Sequence, residues 1–132
     1  VYEAYKKSGP NVLGVEALQG DDGCTGVKVN TADGYADYLF SATDMQAHHP
    51  SKRVSFCGGV GLIREKEGQI QLMYLGCGRS LKKGNFVLES DHDVYAAIYM
   101  QHGVWYYSAT GPVRVKIGKE TKELNEGYNQ KL

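Results

Sequence analysis

The chain has 132 residues, 14.5 kDa, with 42% hydrophobic content, enough to bury one core and too short to leave room for much else. Fifteen basic side chains balance fifteen acidic ones, and the two halves carry 7 and 8, then 8 and 7. That balance argues against a protein whose affinity comes mainly from neutralising phosphates or anionic lipid, and the longest apolar run, Val94 to Met100, is far short of a membrane span. Glycine is abundant (17) while proline is scarce (3), which means many tight turns and many short strands; tyrosine supplies 10 of the 14 aromatics and suits half-buried sheet faces and contact surfaces. No charged-then-apolar leader opens the chain, and a start at Val1 fits maturation of a secreted protein.

In chain order, Val12 to Leu18 and Cys24 to Asn30 read as strands around the turn Gly20-Asp21-Asp22-Gly23. Tyr35, Tyr38, Leu39, Ala42 and Met45 share one helical face, with Thr31 or Asp33 as caps, so a short helix is expected over 34–45. The alternation of Ala36, Tyr38, Phe40 and Ala42 permits a strand there instead. His48-His49-Pro50-Ser51-Lys52 is loop. From 54 to 118, strand-like runs meet four tripeptides that end in glycine: Lys66-Glu67-Gly68, Lys82-Lys83-Gly84, Gln101-His102-Gly103 and Ala109-Thr110-Gly111. Glycine at the third position of a three-residue hairpin loop takes the left-handed conformation without a Cβ penalty. Such loops set Leu62 against Leu72, Cys57 against Cys77, Tyr99 against Trp105 and Tyr107 against Val113, with Cys24 left over.

One face of this meander then collects Tyr95, Ala97, Tyr99, Trp105, Tyr107, Val113, Val115 and Ile117, with the single tryptophan mostly buried. Ala96, Ile98 and Met100 make the same strand apolar on its other side, so something must cover it, and the 34–45 helix is the natural candidate. Glu89-Ser90-Asp91-His92-Asp93 divides 85–100 into two strands. Glycines in Gly58-Gly59-Val60-Gly61 and Gly76-Cys77-Gly78 mark a bulge or a close backbone approach. Residues 119–132 read as a short helix and a frayed tail. The fold class expected is mainly β: an antiparallel meander forming a small sandwich or barrel, with one short helix packed on it, in a single domain over 1–132.

Cys77-Gly78-Arg79-Ser80, followed by a glycine and a Phe-centred strand, resembles a short stretch of the aegerolysins, small lipid-binding β-sandwiches of similar length. The resemblance covers that stretch alone, and the Trp-rich segment those proteins carry downstream has no counterpart here.

No nucleophile elbow, zinc-ligand spacing, EF-hand loop or phosphate cradle occurs. Four histidines, His48, His49, His92 and His102, lie in expected loops, where function concentrates. Two imidazoles with a carboxylate or lysine suffice for a metal-independent ribonuclease, so His92, His102 and His48 with Asp91 form the catalytic set of a hydrolase reading. Asp91-His92-Asp93, Asp21-Asp22 and His48-His49 offer metal ligands only in turn-like contexts, and neither a metal nor a cofactor is expected. Basic residues interleaved with aromatics make Tyr106, Arg114, Lys116 and His49 the ligand-binding candidates, with Tyr106 expected beside Arg114; at zero net charge, nucleic acid is not the favoured partner. The leading reading is a small secreted binding protein, effector-, lectin- or toxin-like, that engages a macromolecule or glycan through loops and exposed tyrosines.

Overall fold

A computed structural model describes residues 9, 11–18, 20 and 23–132. The turn expected at 20–23 and the Asp21-Asp22 pair lie at least partly outside them. The described residues form one antiparallel sheet of ten strands: β1 (Val12–Leu18), β2 (Cys24–Thr31), β3 (Tyr35–Ala42), β4 (Val54–Lys66), β5 (Gln69–Lys83), β6 (Phe86–Gln101), β7 (Val104–Ala109), β8 (Val113–Ile117), β9 (Glu120–Leu124) and β10 (Gly127–Lys131). Strands β1 to β7 pair in sequence as a meander, and for β4 to β7 the glycine spacing predicts it. Then the order breaks: β8 pairs with the first part of β6 and with β9, while β10 pairs with β7.

Among the described residues there is no helix. The segment expected to be helical over 34–45 is largely β3, hydrogen-bonded to β2 and β4 along its length. Its alternation decides the matter: Phe40 is buried at 2% exposure, Tyr38 packs against the core, and Leu39 and Ser41 face water. Residues 119–132 likewise correct from helix and tail to β9 and β10.

Turn geometry corrects the register. The loops after β4 and β6 hold two residues, not three: Glu67 and Gly68 have φ of 52° and 76°, and His102 and Gly103 have 50° and 77°. Both central residues are left-handed, the pattern of a type I′ hairpin turn. Gly84 is left-handed too, with φ 57°, as the first residue of the Gly84-Asn85 turn. The shorter loop slides each pairing and exchanges the two faces of one strand relative to its neighbour. Between β6 and β7 the loop alone sets Trp105 against Met100 instead of Tyr99. Between β4 and β5 register shifts at Arg64/Glu65 and Cys57/Gly58 add to the slip, so Leu62 opposes Tyr74 and Cys57 opposes Ser80 instead of Cys77. Cys57 and Cys77 are free thiols. Trp105 and Tyr107 join the face of Ile98, and Tyr95 turns outward at 54% exposure. Trp105 is half-buried against Phe86, with ring centroids 5.9 Å apart.

What covers the apolar inner side is the sheet itself. Along a straight β4, residues 54 and 65 would lie about 36 Å apart, and along β6 residues 86 and 100 about 46 Å. Yet Lys83, paired with Val54, forms an ion pair with Glu65, and Phe86 touches the Trp105 that pairs with Met100. The long strands are bent back until their inner faces meet. The bend falls at the glycines of β4 and β5, where register shifts follow Cys57 and Leu75. There the backbones nearly touch: a Cβ on Gly78 would stand 2.8 Å from Gly58 Cα and 2.8 Å from the Cys57 carbonyl oxygen. Phe56, Ile63, Met73, Leu75, Leu81, Leu88 and Ile98 fill the interior at 0% exposure.

Candidate functional site

Because Val94, Ala96 and Ile98 of β6 point inward, Tyr95, Ala97 and Tyr99 point out. The same parity puts Tyr74 of β5 and Ser108 of β7 on the outer face, beside Met73, Leu75, Tyr107 and Ala109 on the inner one. Register then lines up Tyr74, Ala97 and Ser108 across three strands. The two small residues of this row, Ala97 and Ser108, sink a trough into the sheet. It is an open cleft of about 610 Å³, framed by Tyr74, Tyr95 and Tyr128 and flanked by Thr110 and Glu126. That volume lies within the range of about 300–1,000 Å³ usual for small-ligand sites.

Several contacts fix the walls. Tyr107 donates its hydroxyl to the Asn125 carbonyl at 3.2 Å and lies close against Gly127, where a Cβ would stand 3.0 Å from that hydroxyl and 2.9 Å from Gln130 Cγ. This seats the β9–β10 connection against β7 and presents Tyr128, 77% exposed, over the cleft. The Asn129 N–H donates to Ser108 Oγ at 2.9 Å, and the Tyr95 N–H to Thr110 Oγ1 at 3.0 Å. Each hydroxyl spends an acceptor on the backbone and keeps its own O–H as a donor. Beyond the trough, Tyr99 and Tyr106 stack with centroids 6.1 Å apart, and Tyr99 donates to Asn129. The arrangement suits a ligand with flat apolar faces and a fringe of hydroxyls: rings for the faces, neutral donors and acceptors for the fringe.

The structure separates most of the sequence-derived candidates. His48 is 4% exposed in the β3–β4 connection, where its Nε2 lies 2.6 Å from Asp44 Oδ1 and its backbone pairs with Phe56. His49 sits beside it, exposed, with Nδ1 3.3 Å from the Val54 carbonyl. His92 is exposed in mid-β6, its N–H donating to Ser90 Oγ at 3.2 Å, and His102 is the first residue of the β6–β7 turn. No histidine lines the tyrosine cleft.

Asp91 and Arg114 do come together, in a second cleft of about 410 Å³ with Glu89 and Glu123. Arg114 is already engaged there, 2.9 Å from Glu89 and 3.5 Å from Glu123, and its pKa is raised by the Glu89 hydrogen bond. Burial pushes the Glu89 carboxyl up, but hydrogen bonds from Arg114 and Lys82 outweigh it and hold the group below its ordinary value. Tyr106 is not beside Arg114, because β8 pairs with β6 and β9 and not with β7; its neighbours across the sheet are Tyr99 and Lys131. Lys116, half-buried on β8, pairs with Val87 and Thr121. Among the described residues, no three of His, Cys, Asp and Glu gather as a metal-holding group.

Sequence reading missed Tyr74, Tyr95 and Tyr128 as site residues. The available signal was tyrosine alternating with small residues, Tyr95-Ala96-Ala97, beside a tight turn whose length sets the face.

Fold and cleft together define an antiparallel β domain that carries a solvent-open aromatic cleft on its outer sheet face. The chain belongs to the endo-acting ulvan lyase C-terminal domain family, which it matches over residues 12–100. The match runs from the start of β1 almost to the end of β6 and includes Tyr74 and Tyr95. No curated protein and no solved structure matches the chain.

Proposed function

We propose that the chain is a secreted, non-catalytic glycan-binding domain, its sheet doubled over as a small sandwich and its ligand held in the tyrosine cleft. Of the effector-, lectin- and toxin-like readings, this favours the lectin-like one. The observation that carries it is the trio Tyr74, Tyr95 and Tyr128 around the small-residue floor of Ala97 and Ser108. Sugar rings present C–H faces that lie on aromatic faces and hydroxyls that reach neutral donors and acceptors, and this cleft supplies both. Membership of a family named for an endo-acting ulvan lyase supports a polysaccharide ligand, with ulvan the first to try. Secretion fits a domain that meets such a polymer, and no helix among the described residues is long and apolar enough to cross a membrane.

The test is affinity electrophoresis of the chain in gels cast with ulvan. Wild type should be retarded, and Tyr74→Ala and Tyr95→Ala should each weaken retardation about tenfold or more, the scale of losing one aromatic anchor. Unretarded wild type, or two variants that run like it, would remove the reading.

A further inference from the structure

The cleft's electrostatics say more about its ligand, on the footing of the reading above. We infer that the cleft takes the uncharged ring face of a sugar, and that carboxylate or sulfate groups of the polymer stay outside it.

Ten residues line the cleft, and Glu126 is the only charged one. It is an exposed carboxylate, so any anion entering would meet like charge within a screening length and find no counterion. Sites built for carboxylate or sulfate use cations, most often a forked guanidinium that grips two oxygens. No arginine lines the cleft: Arg53 lies against Gly84 at the β5–β6 turn, and the other three each hold a carboxylate elsewhere. Arg64 grips both oxygens of Asp37 at 2.7 and 2.8 Å, Arg79 holds Asp93 at 2.9 Å, and Arg114 holds Glu89. Two lysines of the bent strands are engaged likewise, Lys82 by Glu89 at 3.1 Å and Lys83 by Glu65. What the cleft offers is neutral: the tyrosine rings and hydroxyls, and the hydroxyls of Ser108 and Thr110 held in place by backbone N–H groups. A charged group moved from water onto this surface would lose hydration with nothing to replace it. A ring face with its hydroxyls would not.

The same ulvan gels, run from about 50 to about 500 mM NaCl, test this, because salt screens the repulsion between Glu126 and any ligand anion brought against it and leaves ring stacking nearly untouched. Expected are retardation of wild type constant within about twofold across that range, no gain from Glu126→Lys beyond about twofold, and loss with Tyr74→Ala and with the more exposed Tyr95→Ala at every salt concentration. Thermal melts of each variant establish that it is folded. If the tyrosine variants lose binding but wild-type retardation rises tenfold with salt, as screening of Glu126 from a ligand anion would make it, or Glu126→Lys strengthens it severalfold, then ligand charge enters the cleft. The inference then fails while the glycan-binding reading stands. If wild type is not retarded at any salt, or the tyrosine variants bind like wild type, the reading itself fails and takes the inference with it.

Discussion

Gly78 shows how one missing side chain sets the shape of the molecule. A Cβ there would stand 2.6 Å from Leu75 Cδ1 as well as against the Gly58 and Cys57 backbones, and backbone cannot step aside as a flexible side chain can. Gly78→Ala should therefore lower stability by about 3 kcal/mol in urea melts, the upper part of the overpacking range. Gly14→Ala is its control: nothing lies within 4 Å of that position, and the change should stay within about 0.5 kcal/mol. Glu89 makes a second case at this scale. Its carboxyl sits below its ordinary value of 4.5 in the folded chain, despite burial, because Arg114 and Lys82 hydrogen-bond the charged form. A group depressed on folding stabilises the fold above its unfolded value, and that contribution is lost as pH falls through the lower folded value. Glu89→Gln should then reduce the urea midpoint at pH 7 and flatten its decline below about pH 4.5. A variant with the parent's full acid limb would show that other carboxylates set it.

At the scale of elements, the sequence was readable wherever glycine marks a turn and strands pair with their neighbours. Gly68, Gly84 and Gly103 are all left-handed, and the meander from β4 to β7 follows from them. The number of residues in each loop was less legible. A type I′ turn also needs its first residue at positive φ, and Glu67 and His102 accept that strain although neither is glycine or asparagine. The resulting one-residue slip moved Tyr95 from an expected buried face to the outer one, which hid the cleft. Asp33-Gly34 was a plain hairpin signal between β2 and β3, with Gly34 at φ 89° and its N–H donating to the Thr31 carbonyl. Helical spacing of Tyr35, Tyr38 and Leu39 masked it, since the same stretch carries both that pattern and the strand alternation Ala36, Tyr38, Phe40 and Ala42. The strand exchange at β8 was illegible for another reason. Ala109-Thr110-Gly111 looks like a hairpin loop, but Gly111 is not left-handed, and Val113 leaves β7 for the far end of β6. Strand β8 runs on along the edge of β6 that β7 already occupies, Ala96 opposite Ala109 being followed by Glu89 opposite Arg114, and no local motif announces that a chain will continue along its partner instead of turning back.

For the whole molecule, one bent sheet with its core inside the fold predicts an uneven distribution of stability. Strands β4, β5 and β6 are paired on both sides and supply most of the fully buried residues, from Val54 and Phe56 to Leu88 and Ile98. Strands β1 and β9 pair on one side only, and every described side chain of both is half-buried or exposed. Opening an edge strand of that kind breaks one ladder and exposes little apolar surface, whereas opening β5 requires the bend and the core to come apart together. Strand β10 stands between these cases. It pairs with β7 alone, but the Leu132 N–H donates to the Trp105 carbonyl at 2.9 Å, and Tyr107 holds the connection before it through Asn125. Amide hydrogen exchange read by mass spectrometry should therefore rank peptides in three tiers: β4 to β6 slowest and exchanging only by global unfolding, β10 intermediate, β1 and β9 fastest. If the cleft binds as proposed, saturating ulvan should slow exchange in β10 and around Tyr95 and leave β1 unchanged, because Tyr128 and Glu126 meet the ligand from that strand and its connection. Protection confined to β1 and β2 would place the ligand on the other wing of the sheet and exclude the tyrosine cleft.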